Sequence, residues 1–174
     1  MSNVDKFVEI LKNKNLCFYH FTDTRNLPTI RQKGLLSTHA LKSSGVQMMP
    51  GGNDWSLTAD GRSGMDKYVH ICFFKEHPME FIAKKEGRIE STRFLRIDPS
   101  VLQITGTMIS DMVSNHANAK PKPPEEIVAK LDLEVIYKRT DWKDPKIQAR
   151  IKRARLYEIL VPNGVPIELI RGLE

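Results

Sequence analysis

Three arrangements of side chains in this sequence could do chemistry. The first lies in FYHFTDTRNLPTIRQKGLL, residues 18–36. His20 and Thr22 stand two apart at the end of an apolar run, so a strand there points both to one face. Thr22, Asp23 and Thr24 then offer oxygens for a helix N-cap. The free N–H groups of such a helix start favour anions, so this corner could hold a dinucleotide. The same His–x–Thr pair also occurs as plain strand structure. The second arrangement is Glu158 within KRARLYEILV, residues 152–161. A carboxylate in the middle of an apolar strand is costly unless it is paired, hydrated or used. Strand alternation puts it on the face of Leu156 and Leu160, opposite Tyr157, Ile159 and Val161. A solvated face or a buried pair with an arginine would explain it equally well. The third is Arg62, the only arginine between Gln32 and Gly87, set in the irregular ADGRSGM. Its planar fork suits a diphosphate, and a solvated loop cation is the plainer alternative.

Other common sites are missing. The sequence has no GxGxxG, GxxxxGK[ST] or GxSxG motif, which argues against Rossmann, P-loop and α/β-hydrolase chemistry. Its five histidines (20, 39, 70, 77 and 116) form no HExxH or HxH pattern, and its two cysteines are too far apart for CxxC. No metal site is expected.

The elements that must carry these residues can be read from periodicity and punctuation. Val4, Phe7, Val8 and Leu11 predict an amphipathic helix over 4–13. Residues 16–21 predict a buried strand, and Leu27, Ile30 and Leu35 a helix that Gly34 ends. Residues 42–66 show no period and predict a long irregular segment. Strands are expected at 67–74, 93–97, 104–109 and 156–161, with short helices at 79–85, 112–119 and 125–131. Asp144-Pro145 opens a basic helix, KIQARIKRA, and residues 132–143 are ambiguous. Helices scattered among short strands, without an alternating βαβ series, predict an α+β fold with a mainly antiparallel sheet.

At 174 residues, 40% hydrophobic and 28% charged, the chain is expected to be one globular domain, residues 1–174. No apolar run reaches membrane-spanning length, and the N-terminus has no secretory core. Cys17 and Cys72 sit in apolar runs and read as free thiols, which places the protein in a reducing cytoplasm. The net charge of +6 favours a polyanionic partner, most obviously nucleic acid, although a merely basic surface would give the same number.

Taken together, three segments resemble the DarT family of DNA-targeting ADP-ribosyltransferase toxins. YHFTDTRNLPTIRQKGLL resembles its YHxT opening followed by NLxxIxxxGLL; DKYVHICFFKEHPMEF resembles its DYV strand and PM segment; RARLYEILVPNGVPIELI resembles its Arg- and Glu-bearing strand and VP turn. The matches fall in order along the chain. The resemblance implies an ADP-ribosyltransferase-like split antiparallel sheet with NAD, as co-substrate, in its cleft. It implies that His20 and Thr22 hold the nicotinamide end, that Asn26 and Tyr68 belong to the NAD-binding set, and that Glu158 is the catalytic carboxylate. The family's important arginine between the GLL helix and the DYV strand falls on Arg62, which would act on NAD and in catalysis. The stretch between Leu36 and Tyr68 is short and lacks the family's arginine-rich run, and residues 98–143 do not align position by position.

The implied activity is NAD-dependent transfer of ADP-ribose to a base, most naturally in single-stranded DNA, with release of nicotinamide. A paired base is inaccessible inside a duplex, so the acceptor is expected to be single-stranded or splayed out. Lys152, Arg153 and Arg155, just before Glu158, are expected to guide its phosphates. A toxin or anti-phage role follows from the resemblance, with a macrodomain antitoxin as partner. The alternatives are an ADP-ribosyltransferase acting on RNA or protein, an RNA 2′-phosphotransferase, or a non-catalytic nucleic-acid-binding domain.

Overall fold

The computed structural model describes residues 1–49 and 54–173; at 54–57 and 59 only the backbone is described. The chain begins with helix α1 (Asn3–Asn13), whose Ser2 and Asp5 form a capping box. Strand β1 (Phe18–Asp23) and a 3₁₀ turn follow, then α2 (Leu27–Lys33), the two-residue β2 (Leu35–Leu36) and α3 (Thr38–Ser43). Helix α4 (Asp54–Ser63) leads through another 3₁₀ turn to β3 (Tyr68–Cys72). Next come α5 (Pro78–Lys85), β4 (Thr92–Ile97) and β5 (Met108–Ser110). Short helices α6 (Pro124–Ile127) and α7 (Leu133–Tyr137) precede α8 (Pro145–Ala154). The chain ends with β6 (Glu158–Pro162), β7 (Gly164–Val165) and β8 (Ile170–Arg171). Among the described residues, no helix is long and apolar enough to cross a membrane.

Six strands form an antiparallel sheet in the order β5-β6-β3-β1-β4-β8, and β2 pairs with β7 in a second small sheet. This is the α+β architecture expected from the sequence. The pleat sorts the side chains. Ile159 and Val161 of β6, Val69 and Ile71 of β3, and Leu95 and Ile97 of β4 join the hydrophobic core beneath α1. Glu158, Tyr68, His70 and Cys72 alternate with those core residues and take the opposite face of their strands. Gly34 lets α2 turn into β2: its φ is +74°, and a Cβ there would lie 2.5 Å from the Val165 carbonyl oxygen of β7.

The sheet is split between β1 and β3. Strand β1 pairs with β4 at six positions, from Phe18↔Ile97 to Asp23↔Thr92, but with β3 only at Tyr19↔Cys72. Past that point the two central strands part. Pairing with the long β4 also carries β1 through Thr22 and Asp23, two residues beyond the apolar run that predicted a strand at 16–21.

Several expected elements differ. The aperiodic stretch 42–66 contains α4, whose sequence presents no single apolar face and so gives no periodic signal. Only the end of the strand expected at 104–109 forms, because Ile104–Thr107 is a tight turn closed by Thr107 N–H on the Ile104 carbonyl. No helix forms at 112–119; these residues make successive turns, and the Ser114 N–H is directed at Glu158 rather than at a helical carbonyl. Strand β6 starts at Glu158, since Leu156 and Tyr157 close the end of α8 through the Arg153 and Ala154 carbonyls. Leu156 is therefore exposed and does not share a strand face with Glu158.

Candidate active site

A cavity of about 870 Å³ opens where β1 and β3 separate. His20 and Thr22 line it from β1, Asn26 from the turn after β1, Tyr68 and His70 from β3, and Glu158 from β6. Val69 and Ile71 line it as well, although they alternate with His70, because the parting of β1 uncovers the edge of β3.

His20 bridges the point of separation. Its Nδ1 lies 2.8 Å from the His70 carbonyl oxygen. A carbonyl only accepts, so Nδ1 carries the hydrogen. Burial pushes the imidazole down to about 4, so it holds a single proton and Nε2 is left as an acceptor. Thr22 is buried, and its Oγ1 accepts from Asn26 Nδ2 at 3.1 Å. The other amide contacts of Asn26 are to the backbone of Met49: Nδ2 donates to its carbonyl at 2.9 Å, and Oδ1 accepts its N–H at 2.9 Å. This side chain imitates one rung of a β-ladder and pins the 46–49 segment, which forms part of the cavity wall.

The opposite wall is ionic. In the β3–β6 register Glu158 faces Cys72 and His70 faces Leu160, which makes Glu158 and His70 diagonal neighbours. Glu158 Oε2 lies 3.5 Å from His70 Nδ1 and accepts the Ser114 N–H at 3.0 Å. His70 Nε2 donates to the Met65 carbonyl at 3.0 Å, and Ser114 Oγ is 3.2 Å from Nδ1. Burial alone would lower the His70 pKa, but the hydrogen bond to Glu158, its charge, that of Asp60 and the Met65 carbonyl together raise it to about 9. Burial would raise Glu158 in turn; the His70 contact and the Ser114 donors outweigh it and hold the carboxyl below its ordinary value. At neutral pH the wall therefore presents a carboxylate held by an imidazolium, mounted on adjacent rigid strands.

Asp60 of α4 adds a second carboxyl to the cavity lining, and burial leads the effects that raise its pKa. Among the described residues, Lys42 and Arg25 also bring positive charge to the lining, the Arg25 Nε and Nη2 being engaged by Asp23 at 2.9 and 2.6 Å. Among the described residues no cluster of His, Cys, Asp and Glu could hold a metal ion.

The structure thus brings His20, Thr22, Asn26, Tyr68 and Glu158 to one cavity. Arg62 is exposed on the last turn of a regular helix rather than on an irregular loop, and it does not line the cavity. Lys152, Arg153 and Arg155 are exposed and away from the lining. Arg155 is tied to Glu76 at 2.8 Å and lies over the Phe74 ring. Arg150 in the same helix is held by Asp132 and Glu134. Sequence reasoning passed over His70, Ser114 and Asp60. Alternation with Val69 and Ile71 could have placed His70 on the face of Tyr68; Asp60 lies in an aperiodic stretch and Ser114 in one read as a helix, so neither carries such a signal.

A carboxylate strand and a His–x–Thr strand facing each other across a split antiparallel sheet define an ADP-ribosyltransferase-type fold and cleft. Residues 19–173 match the family described as "ssDNA thymidine ADP-ribosyltransferase, DarT", and the chain belongs to that family. Solved structures share the fold. Thermosipho africanus DarTG in complex with ADP-ribose superposes with a TM-score of 0.69 at 18% identity, covering 89% of this chain and 42% of that one. Thermus sp. 2.9 DarT in complex with ADP-ribosylated ssDNA gives 0.65 at 21% identity, covering 88% of this chain and 78% of that one. The same Thermus protein in complex with NAD+ gives 0.59 at 21% identity over the same shares. The chain thus spans less than half of the Thermosipho chain. No curated protein matches the sequence significantly.

Proposed function

We propose that this chain splits NAD and transfers its ADP-ribose to thymidine in single-stranded DNA, releasing nicotinamide. The observation that carries the proposal is the placement of ionised Glu158 and neutral His20 on facing walls of one cleft in a chain of the DarT family. The relatives named above, solved with NAD+, ADP-ribose and ADP-ribosylated ssDNA, support it.

Breaking the glycosidic bond to nicotinamide leaves an oxocarbenium-like ribose. Glu158 sets a fixed negative charge against that cation, and His70 and Ser114 keep the carboxylate oriented and ionised. Such preorganised charge costs no reorganisation at the moment of reaction. His20 Nε2 accepts from the nicotinamide ribose or its carboxamide, with Thr22 beside it. Tyr68 contributes an aromatic wall, and Asn26 serves by fixing the 46–49 segment. Lys42 and Arg25 at the lining supply positive charge for the diphosphate. Arg62, two residues beyond Asp60 on α4, joins them when its long side chain folds over bound NAD. Lys152 and Arg153 guide the DNA strand.

Residues 1–174 act as one catalytic domain in the cytoplasm, where Cys17 and Cys72 stay as free thiols. The biological role is that of a toxin or defence enzyme, opposed by a macrodomain that removes ADP-ribose. Mass spectrometry of a thymidine-containing single-stranded oligonucleotide after incubation with NAD tests the activity. A gain of one ADP-ribose is expected; unmodified DNA with intact NAD would refute it.

A further inference from the structure

Among the described residues that line the cleft, Asp60 is the one carboxyl that the chemistry above leaves unused. It lines the cavity from α4, its Oδ1 is closed off from solvent, and no hydrogen-bond donor among the described residues meets that oxygen. Leaving a buried acceptor without a donor is costly, so a protein that keeps one calls for a reason. Glu158 differs: its Oε2 takes the Ser114 N–H and lies against His70. The two residues line the same cavity with opposite preparation. Glu158 is held ionised and is a poor base, whereas Asp60 has an oxygen that no donor among the described residues meets.

Thymine in DNA uses N1 for its own sugar, so N3 is the ring nitrogen that still carries hydrogen. Joining it to ribose requires loss of that proton, and Glu158, committed to an imidazolium, is badly suited to take it. We propose that Asp60 is the general base that accepts the thymine N3 proton as N3 bonds to the ribose carbon, an assignment that rests on the activity proposed above. In that step the ribose–nicotinamide bond breaks and its electron pair goes to the pyridinium ring, which leaves as neutral nicotinamide. The N3–H electron pair forms the new N3–C1′ bond, the proton passes to the Asp60 carboxylate, and the acid later returns it to water. Asp60 is well matched to the task, because burial, together with the charges of Glu158 and Asp66, makes it a stronger base than an ordinary aspartate, while His70 opposes them. Among the described residues on that side, His39 Nδ1 lies 3.8 Å from Asp66 Oδ2, and Lys42 of α3 lines the cavity.

The test compares the full-length wild-type chain with Asp60→Asn and Asp60→Glu. Each is given NAD and an oligonucleotide with one thymidine across a pH series; product is counted by mass spectrometry and NAD binding is measured by calorimetry. Wild-type kcat should fall on the acid side with a midpoint above the ordinary aspartate value. Asp60→Asn should lose about 10²–10⁴-fold in kcat, lose that acid limb and still bind NAD, which also reports that it folds. Asp60→Glu should keep part of the rate and of the limb. Equal labelling by wild type and Asp60→Asn would overturn this assignment alone, as would an unmoved acid limb. Loss of NAD binding in both variants would overturn it too. An oligonucleotide left unlabelled by wild type would overturn both this assignment and the activity it rests on.

Discussion

Glu158 Oε2 and His70 Nδ1 lie 3.5 Å apart on neighbouring antiparallel strands, two residue pairs out of direct register. The contact converts two partly buried groups, each of which desolvation alone would push toward its neutral form, into a carboxylate and an imidazolium. It stands at the mouth of the split between β1 and β3, where His20 touches the carbonyl of the same histidine. Much of the behaviour expected of this protein follows from that relationship.

Replacing Glu158 by Gln should cut ADP-ribose transfer by about 10²–10³-fold, the usual size of losing one preorganised electrostatic contact. The same change should drop the His70 pKa well below about 9, because burial then acts against weaker opposition. Product counting by mass spectrometry reads the first effect, and NMR titration of the His70 ring reads the second. A ring that still titrates near 9 in the variant would show that Glu158 is not what charges it.

Stability should depend on pH through this pair. His70 is raised above its ordinary 6.5, so its contribution is complete below pH 6.5 and fades as pH climbs through about 9. Glu158 is displaced downward, so its contribution is present above its ordinary 4.5 and disappears only as pH falls through the lowered value. Urea unfolding should therefore show a declining midpoint between pH 6.5 and 9 in the wild type. In His70→Gln that decline should be much flatter.

Asn26→Ala should loosen the cavity wall rather than the chemistry. It removes the partners of the Met49 N–H and carbonyl and one contact of Thr22. The expected cost is about 1–3 kcal/mol of stability where those groups stay buried. KM for NAD should rise more than kcat falls. Thermal unfolding with and without NAD, together with steady-state kinetics, would separate the two.

Along α8, the cations should not contribute equally to DNA binding. Arg150 and Arg155 are engaged by acidic side chains, whereas Lys152 and Arg153 are exposed. Removing Lys152 and Arg153 should weaken single-stranded DNA binding, and each lost phosphate contact should flatten the plot of log K against log salt by about 0.7. Arg155→Ala should change the slope less. Fluorescence anisotropy over a salt series would check both.

The sequence alone was enough to place the α+β class, α1, α2 with its Gly34 ending, α5, α8 and most of the strands. It also identified His20, Thr22 and Glu158 as residues worth attention. These are local matters: hydrophobic period, caps and breakers are written into adjacent residues. What β1 gains from β4, and where it leaves β3, could not be read this way, because strand pairing joins residues about seventy positions apart.

Tertiary structure alone decided that His70 charges beside Glu158, that the Ser114 N–H turns to the carboxylate in place of a helix, and that Asn26 is taken up by Met49. It also moved Arg62 onto a helix outside the cavity lining and set Asp60 inside it. A side chain's type fixes what it is able to do, but its ionisation and its partners depend on what the fold packs around it. Desolvation and a neighbouring charge act over a few ångströms of space, and sequence distance does not measure that.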